Sequence, residues 1–380
     1  QIIPDMKPFQ TLLSLCLLFV LVSCQEDSFK TKIEYPVLPE TSYSYKPNWG
    51  GMHSHMVGQD LGITDAGATL GRVLFYDKIL SIDNTVSCGS CHLQSIGFSD
   101  QARLSDGINN QKTDRNAPPI SNLYDDNLLF WDGRATSLND LVLQPVRNHK
   151  EMGMENMEFL VAKIKAAPYY DELFSKAYGS SEVNSDRVAD AMTQFVKSMI
   201  GCDSEMDRLQ VSGQPLSPQA EAGRNVFFGK GSCYNCHSGP DFNDRGGFFD
   251  PFFPPNGGGF GWAQDIADIG LDKEYTDVGM GVFDQELVGV FKIPSLRNVA
   301  LTAPYMHDGR FASLEEVINH YDSGINKSAN LDDVFTSWDT GEAIRLGLSD
   351  EEKSSLVAFL HTLTDENYMN DLRFSDPFQK

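Results

Sequence analysis

Positive charge is scarce in this 380-residue sequence: 30 lysines and arginines stand against 53 aspartates and glutamates, so the formal net charge is 30 − 53 = −23. A phosphate backbone is repelled by such a surface, which argues against nucleic acid as a partner. What remains is plain solubility or an attraction for a basic protein such as a small electron carrier. A disulfide framework is missing as well. Of the seven cysteines, Cys16 and Cys24 lie in an apolar N-terminal segment, four fall in two short motifs, and Cys202 is left over beside the apolar run 195–201. Cys202 reads as an inert buried thiol.

The first 24 residues do not read as part of the fold. After Met6 and Lys7 comes the apolar stretch 12–22, ending in Leu21-Val22-Ser23-Cys24, which resembles a bacterial lipoprotein signal with its lipobox. Cleavage there leaves Cys24 as a lipid-modified N-terminus and residues 25–50 as a tether. An uncleaved membrane anchor is the alternative, and both place the body on the periplasmic side of a bacterial membrane. The remaining length suits two domains, 51–205 and 206–380.

Two pentapeptides carry the chemistry: Cys88-Gly89-Ser90-Cys91-His92 and Cys233-Tyr234-Asn235-Cys236-His237. In C-x-x-C-H two thiols one turn apart attach to the vinyl groups of a porphyrin, and the next residue presents its imidazole to the iron. Zinc, the main competitor for Cys-x-x-Cys, finds no further Cys/His pairs at ligand spacing. The expectation is two covalently bound haems c, with His92 and His237 as proximal ligands, each donating its other ring nitrogen to an acceptor.

The chain repeats itself around each motif. Upstream, Gly71-Arg72-Val73-Leu74-Phe75-Tyr76 matches Gly223-Arg224-Asn225-Val226-Phe227-Phe228; downstream, residues 132–142 match 308–318 from Asp-Gly-Arg onwards. Helices are expected at 65–76, 155–178, 186–200, 218–228 and 350–363, with Ser217-Pro218 as a start and capping boxes at Ser313-x-x-Glu316 and Ser349-x-x-Glu352. Between Gly239 and Gly270 glycine, proline and phenylalanine break any period. The fold class is therefore mainly α: two cytochrome c-like haem domains in tandem, with large irregular loops and few short strands.

Superposing the repeats separates the two irons. Thirteen residues after Asp308 stands Tyr321, and thirteen after Asp132 stands Pro145. A phenol oxygen can bind ferric iron, whereas proline has no side-chain ligand atom. If this turn faces both haems, the C-terminal iron is closed and the N-terminal one is open; otherwise Tyr321 is a core or surface residue. Beside Pro145, Glu151 and His149 are candidates for proton transfer, since a carboxyl in an apolar haem pocket has a raised pKa. The competing reading of 145–152 is a solvated, charged loop.

These motifs, with Arg115-Asn116-Ala117-Pro118, Phe130-Trp131-Asp132-Gly133-Arg134, residues 148–152, Pro294-Ser295-Leu296-Arg297-Asn298 and Thr302-Ala303-Pro304-Tyr305-Met306-His307-Asp308-Gly309, resemble the bacterial dihaem cytochrome c peroxidases and their MauG relatives over about residues 58–363. The resemblance implies a peroxidatic N-terminal haem and an electron-accepting C-terminal haem. It places Trp131 as the tryptophan between the haems and Glu151 as the catalytic glutamate. Asn116, Thr302 and Pro304 fall on the positions that hold an interdomain calcium, whose preference is for hard oxygen ligands. Relatives are often homodimers.

Three departures accompany the resemblance. The loop 108–114 lacks the distal histidine of members that need reductive activation, so the N-terminal haem should be accessible as made. Tyr321 stands where ordinary peroxidases place methionine, as in the MauG branch. Leu141 stands where relatives often carry glutamine. Met306, Met280, Tyr305 and His320 are rival axial ligands, while His53, His55, His307 and His361 read as structural or surface groups. The leading expectation is reduction of hydrogen peroxide to water with electrons from a small donor protein such as cytochrome c. The rivals are a MauG-like oxidase acting on a partner protein or small molecule, and an electron carrier with both irons capped.

Overall fold

The structure is a computed structural model that describes residues 43–378 apart from 48, 51–52, 54–55, 125 and 244–264. The signal-like segment 1–24 with Cys24, His55 and most of the irregular 239–270 stretch lie outside the described residues, as does most of the 25–50 tether. Residues Pro36–Lys380 gather into one unit.

Seven of the twelve α-helices among the described residues are α1 (Asp65–Tyr76), α2 (Met157–Ala166), α3 (Tyr169–Tyr178), α4 (Ser185–Ser198), α5 (Pro218–Phe228), α6 (Leu314–Asn319) and α7 (Asp350–His361). The expected helix 155–178 is two helices, because Pro168 lacks an N–H and holds Ala167 in an extended conformation, φ −93° and ψ 108°. The starts of the others follow their caps. Thr64 accepts from the Gly67 N–H, Ser217 from Ala220, and Ser349 forms a full capping box with Glu352. At α6 the box is only half made: Ser313 accepts from the Glu316 N–H, but the Glu316 carboxylate takes the N–H of Ala312 instead. Among the described residues the only sheet is the antiparallel pair Ile266–Ala267 and Phe291–Lys292.

The repeat seen in sequence is a repeat of packing. α1 crosses α4 and α5 crosses α7, and each crossing depends on the glycine of the Gly-Arg pair. A Cβ on Gly71 would lie 1.9 Å from the Ala191 carbonyl oxygen, and one on Gly223 would lie 1.8 Å from that of Ser355. Only glycine lets backbones approach so closely. The Asp-Gly-Arg segments repeat too, closed by matched bridges Leu129↔Ala135 and Tyr305↔Phe311.

The two halves share a core. Phe75, Phe98 and Phe195 of the N-terminal half pack with Tyr368 and Phe374 from the far end of the chain. Burying one such aromatic ring contributes roughly 1.5–3 kcal/mol. The tail is also held by polar contacts: Arg72 Nε donates to the Ser375 carbonyl at 2.6 Å and the Tyr76 hydroxyl to that of Phe374 at 2.6 Å. Tyr45 is fully buried and its N–H meets Asp65 at 2.8 Å, so packing begins before residue 51.

Candidate active site

Cys88–Cys91 is a single helical turn capped by Ser87, whose box is closed by Ser90, and His92 leaves it directly. The turn sets Cys88, Cys91 and His92 along one wall of a cavity of about 610 Å³. In the C-terminal half a tighter turn, Cys233–Asn235, brings Cys233, Cys236 and His237 to a second cavity of about 200 Å³. Burial pushes the Cys88 thiol up to about 12, that of Cys91 to about 11 and that of Cys233 to about 12.

The two imidazoles are held alike. His92 Nδ1 donates to the Phe98 carbonyl at 2.8 Å, and His237 Nδ1 to the Phe242 carbonyl at 2.9 Å. Both phenylalanines sit in the left-handed region, φ 57° and 53°, which turns their carbonyls back towards the ring. Burial lowers both histidine pKa values, that of His237 to about 4, so the rings are neutral and Nε2 keeps its lone pair for a metal. Two thiols, an oriented neutral imidazole and a largely apolar cavity form the donor set that a haem c requires, and the residues fit the group in both halves.

The walls differ at the position singled out by the repeat. Leu141, Val142 and Pro145 line the first cavity; their counterparts Val317, Ile318 and Tyr321 line the second. Tyr321 sits in an irregular turn, His320–Gly324, stacked on Phe335 at 5.8 Å. Burial holds its phenol well above the ordinary tyrosine range. Of the rival ligands, Met306 and Tyr305 also line the second cavity, but the Tyr305 hydroxyl donates to the Val299 carbonyl at 3.0 Å. Met280 and His320 are not among the lining residues, and His320 Nε2 is engaged by the Ile269 carbonyl at 2.9 Å.

Glu151 lines the first cavity and accepts from Asn148 Nδ2 at 2.8 Å. Burial raises its pKa, against the lowering pull of Arg134. His149 is exposed and outside the lining, so of the two proton-transfer candidates only Glu151 reaches the cavity. Among the described lining residues His92 is the only histidine, and Thr113 and Asp114 of the histidine-free loop, with Gly107 just before it, supply part of the wall.

Trp131 borders both cavities, together with Asn116, Pro119, Lys292, Pro294 and Ser295. Hydrogen bonds fix it from both sides: its Nε1 donates to the Asn116 carbonyl at 2.9 Å, and its own carbonyl accepts from the Lys292 N–H at 2.8 Å. Asn116 in turn donates its N–H to the His307 carbonyl at 2.8 Å. Arg115 clamps the same seam, pairing with Asp132 at 2.6 Å and Asp277 at 2.7 Å. Asn116, Thr302 and Pro304 all line the second cavity.

Of the histidines read as structural, His53 is fully buried on Asp241 and His307 stacks on Phe291 at 3.8 Å while lining the second cavity. Cys202 is half-buried and burial raises its thiol. Sequence reasoning missed Phe98 and Phe242, since a one-residue length difference (His92 to Phe98 against His237 to Phe242) takes them out of register. It also missed Lys292, which pairs with Asp126 at 2.9 Å.

Comparison with known proteins meets this geometry. Residues 65–215 match the family described as di-haem cytochrome c peroxidase. The methylamine utilization protein MauG of Methylorubrum extorquens is 34% identical over 310 residues, 80% of each chain. This chain belongs to the dihaem cytochrome c peroxidase and MauG family. The cytochrome c551 peroxidase of Nitrosomonas europaea is 32% identical over 79% of this chain and 80% of its own. A solved structure of a MauG-like protein associated with microbial copper homeostasis superposes with TM-score 0.72 at 32% identity, covering 89% of this chain and all of its own. As a family member the protein binds two haems c, its fold is the expected mainly α tandem, and it is an oxidoreductase of the peroxidase type.

Proposed function

We propose that this protein reduces hydrogen peroxide to water, one peroxide with two protons and two electrons giving two waters, the electrons coming from a small donor protein such as cytochrome c. The observation that carries the reading is the asymmetry of the cavities: the first has Pro145 and Glu151, whereas the second has Tyr321 and, among the described residues, no carboxylate in its lining. The haems, once attached to Cys88 and Cys91 with His92, and to Cys233 and Cys236 with His237, supply the redox chemistry.

The protein's own groups set access, protons and path. Pro145 offers no ligand atom, so the first cavity admits a small molecule opposite His92. Glu151, raised by burial and steadied by Asn148, takes a proton from one peroxide oxygen and returns it to the other. Tyr321 would ligate the second haem through its phenolic oxygen, as phenolate once bound to ferric iron. Trp131, held between the cavities, provides the electron path. Asn116, Thr302 and Pro304 supply oxygens for a calcium at the seam; the Asn116 side-chain N–H groups are spent on the Ala102 and Arg103 carbonyls, which leaves Oδ1 for the ion. The halves 51–205 and 206–380 are assigned the peroxidatic and electron-transfer roles, and a lipid on Cys24 would hold the protein at the periplasmic face.

Tyr321 also favours a second reading, a MauG-like oxidase of a partner protein or small molecule, because phenolate ligation stabilises high oxidation states. Turnover of peroxide with reduced cytochrome c separates the two. Rapid donor oxidation supports the peroxidase; slow donor oxidation with a persistent oxidised spectrum supports the oxidase.

A further inference from the structure

The loop that orients His237 has an anchor that the loop at His92 lacks. Phe242, whose carbonyl accepts from His237, is preceded by Asp241; Phe98, whose carbonyl accepts from His92, is preceded by Gly97. Asp241 is 2% exposed and, among the described residues, receives four side-chain donors from three stretches of chain. His53 Nε2 approaches Oδ1 at 2.8 Å, Asn122 Nδ2 reaches Oδ1 at 2.9 Å, the Tyr124 hydroxyl reaches Oδ2 at 2.9 Å, and Arg297 Nε reaches Oδ1 at 3.2 Å. Arg297, itself buried, also makes a bidentate pair with Asp207 at 2.9 and 3.0 Å. The main chain is clamped as well, since Ser295 Oγ donates to the Asp241 carbonyl at 2.6 Å.

A buried carboxylate is retained only where donors compensate its desolvation, and this one is over-compensated for a group in a loop. Its consequence is mechanical and electrostatic. The peptide 241–242 cannot rotate without breaking several charge-assisted hydrogen bonds, so the Phe242 carbonyl is fixed on His237 Nδ1. An acceptor held on that nitrogen increases the basicity of the ligand and favours the ferric state. At Phe98 the corresponding fixing is a main-chain bond from its N–H to the Leu93 carbonyl at 2.9 Å, and the carboxylate nearest in sequence, Asp100, is only half-buried and accepts from the Ala102 N–H.

We propose that Asp241 is a positioning residue for the haem of His237. It ties His53, Asn122 and Tyr124 of the N-terminal half and Arg297 of the C-terminal half to the one peptide that orients this imidazole, and so sets the C-terminal reduction potential independently of the N-terminal one. The inference rests on a haem at His237, not on which reaction the enzyme performs or on Tyr321 as ligand.

The test is a spectroelectrochemical titration with resting electron paramagnetic resonance on the two-haem protein. Asp241→Asn should move the C-terminal potential upward and shift that haem's g-values, with the N-terminal haem unchanged in both. Asn122→Ala and Tyr124→Phe keep the charge but remove one donor each, and should shift the same haem in the same direction by less. They also decide the matter if Asp241→Asn does not accumulate as folded protein. Wild-type potential and g-values in the folded variants, or an equal shift of both haems, would overturn the proposal. One haem per chain in a haemochrome assay would instead remove the premise.

Discussion

In the N-terminal half, Gly71 lets α1 cross α4, a helical turn delivers Cys88, Cys91 and His92, and the Phe98 carbonyl orients the ring; in the C-terminal half Gly223, Cys233, Cys236, His237 and Phe242 repeat each step. The difference begins with the other residues that line the two cavities. At the paired position Pro145 has no side-chain ligand atom and Tyr321 has a phenol, and the first cavity adds the protonatable Glu151. Two copies of one scaffold thus hold the same cofactor, and on the proposed reading a few lining positions set what each can do. The seam residue Trp131 belongs to neither copy alone, since it borders both cavities.

The comparison can be broken most severely at Glu151. Glu151→Gln should lower peroxide turnover by roughly 100- to 10,000-fold, the usual contribution of a proton-transfer group, while both haem spectra stay at wild type. The pH profile sharpens this. A base with a raised pKa must be ionised before it can accept the peroxide proton, so activity should fall as pH drops through a value above the ordinary carboxylate range. In the glutamine variant that acid limb should vanish. A persisting limb would assign it to another group.

Next in size are the paired glycines. Gly71→Ala and Gly223→Ala each place a methyl group within 2 Å of a backbone oxygen, at 1.9 and 1.8 Å, and each should cost about 1–3 kcal/mol in denaturant unfolding. A loss in one variant only would mean that the halves are not packed alike. Trp131→Phe should then slow donor oxidation by about tenfold, a loss equivalent to about 1.4 kcal/mol, without altering either haem's resting spectrum. Smallest in its effect on turnover is the calcium seam: Asn116→Ala should reduce calcium retained after gel filtration, read by elemental analysis, with haem content intact.

The features legible in the sequence were those set by local chemistry or by exact repetition. C-x-x-C-H needs its residues adjacent, the Asp-Gly-Arg repeat is in register for eleven positions, and Ser349 and Glu352 cap α7 within one turn. Pro145 and Tyr321 line matching cavities because no insertion separates either from its Asp-Gly-Arg segment. What stayed hidden was non-local or shifted by one residue. Tyr368 and Phe374 pack on Phe98 and Phe195 across most of the chain, and nothing in a terminal aromatic names its partner. Asp241 gathers His53, Asn122, Tyr124 and Arg297, whose separations in sequence carry no period. Residue chemistry alone leaves Glu151 and His149 as equal candidates and the family resemblance singles out Glu151; the fold puts Glu151 in the cavity lining and leaves His149 exposed.

The asymmetry of the irons is tested most directly by the resting electron paramagnetic resonance spectrum of the oxidised two-haem protein, recorded for wild type and Tyr321→Phe. The account predicts one high-spin ferric signal, from the haem of His92, and one low-spin signal, from the haem of His237, with only the low-spin signal changed by the substitution. Two low-spin signals in the wild type, or a low-spin signal untouched by Tyr321→Phe, would contradict it.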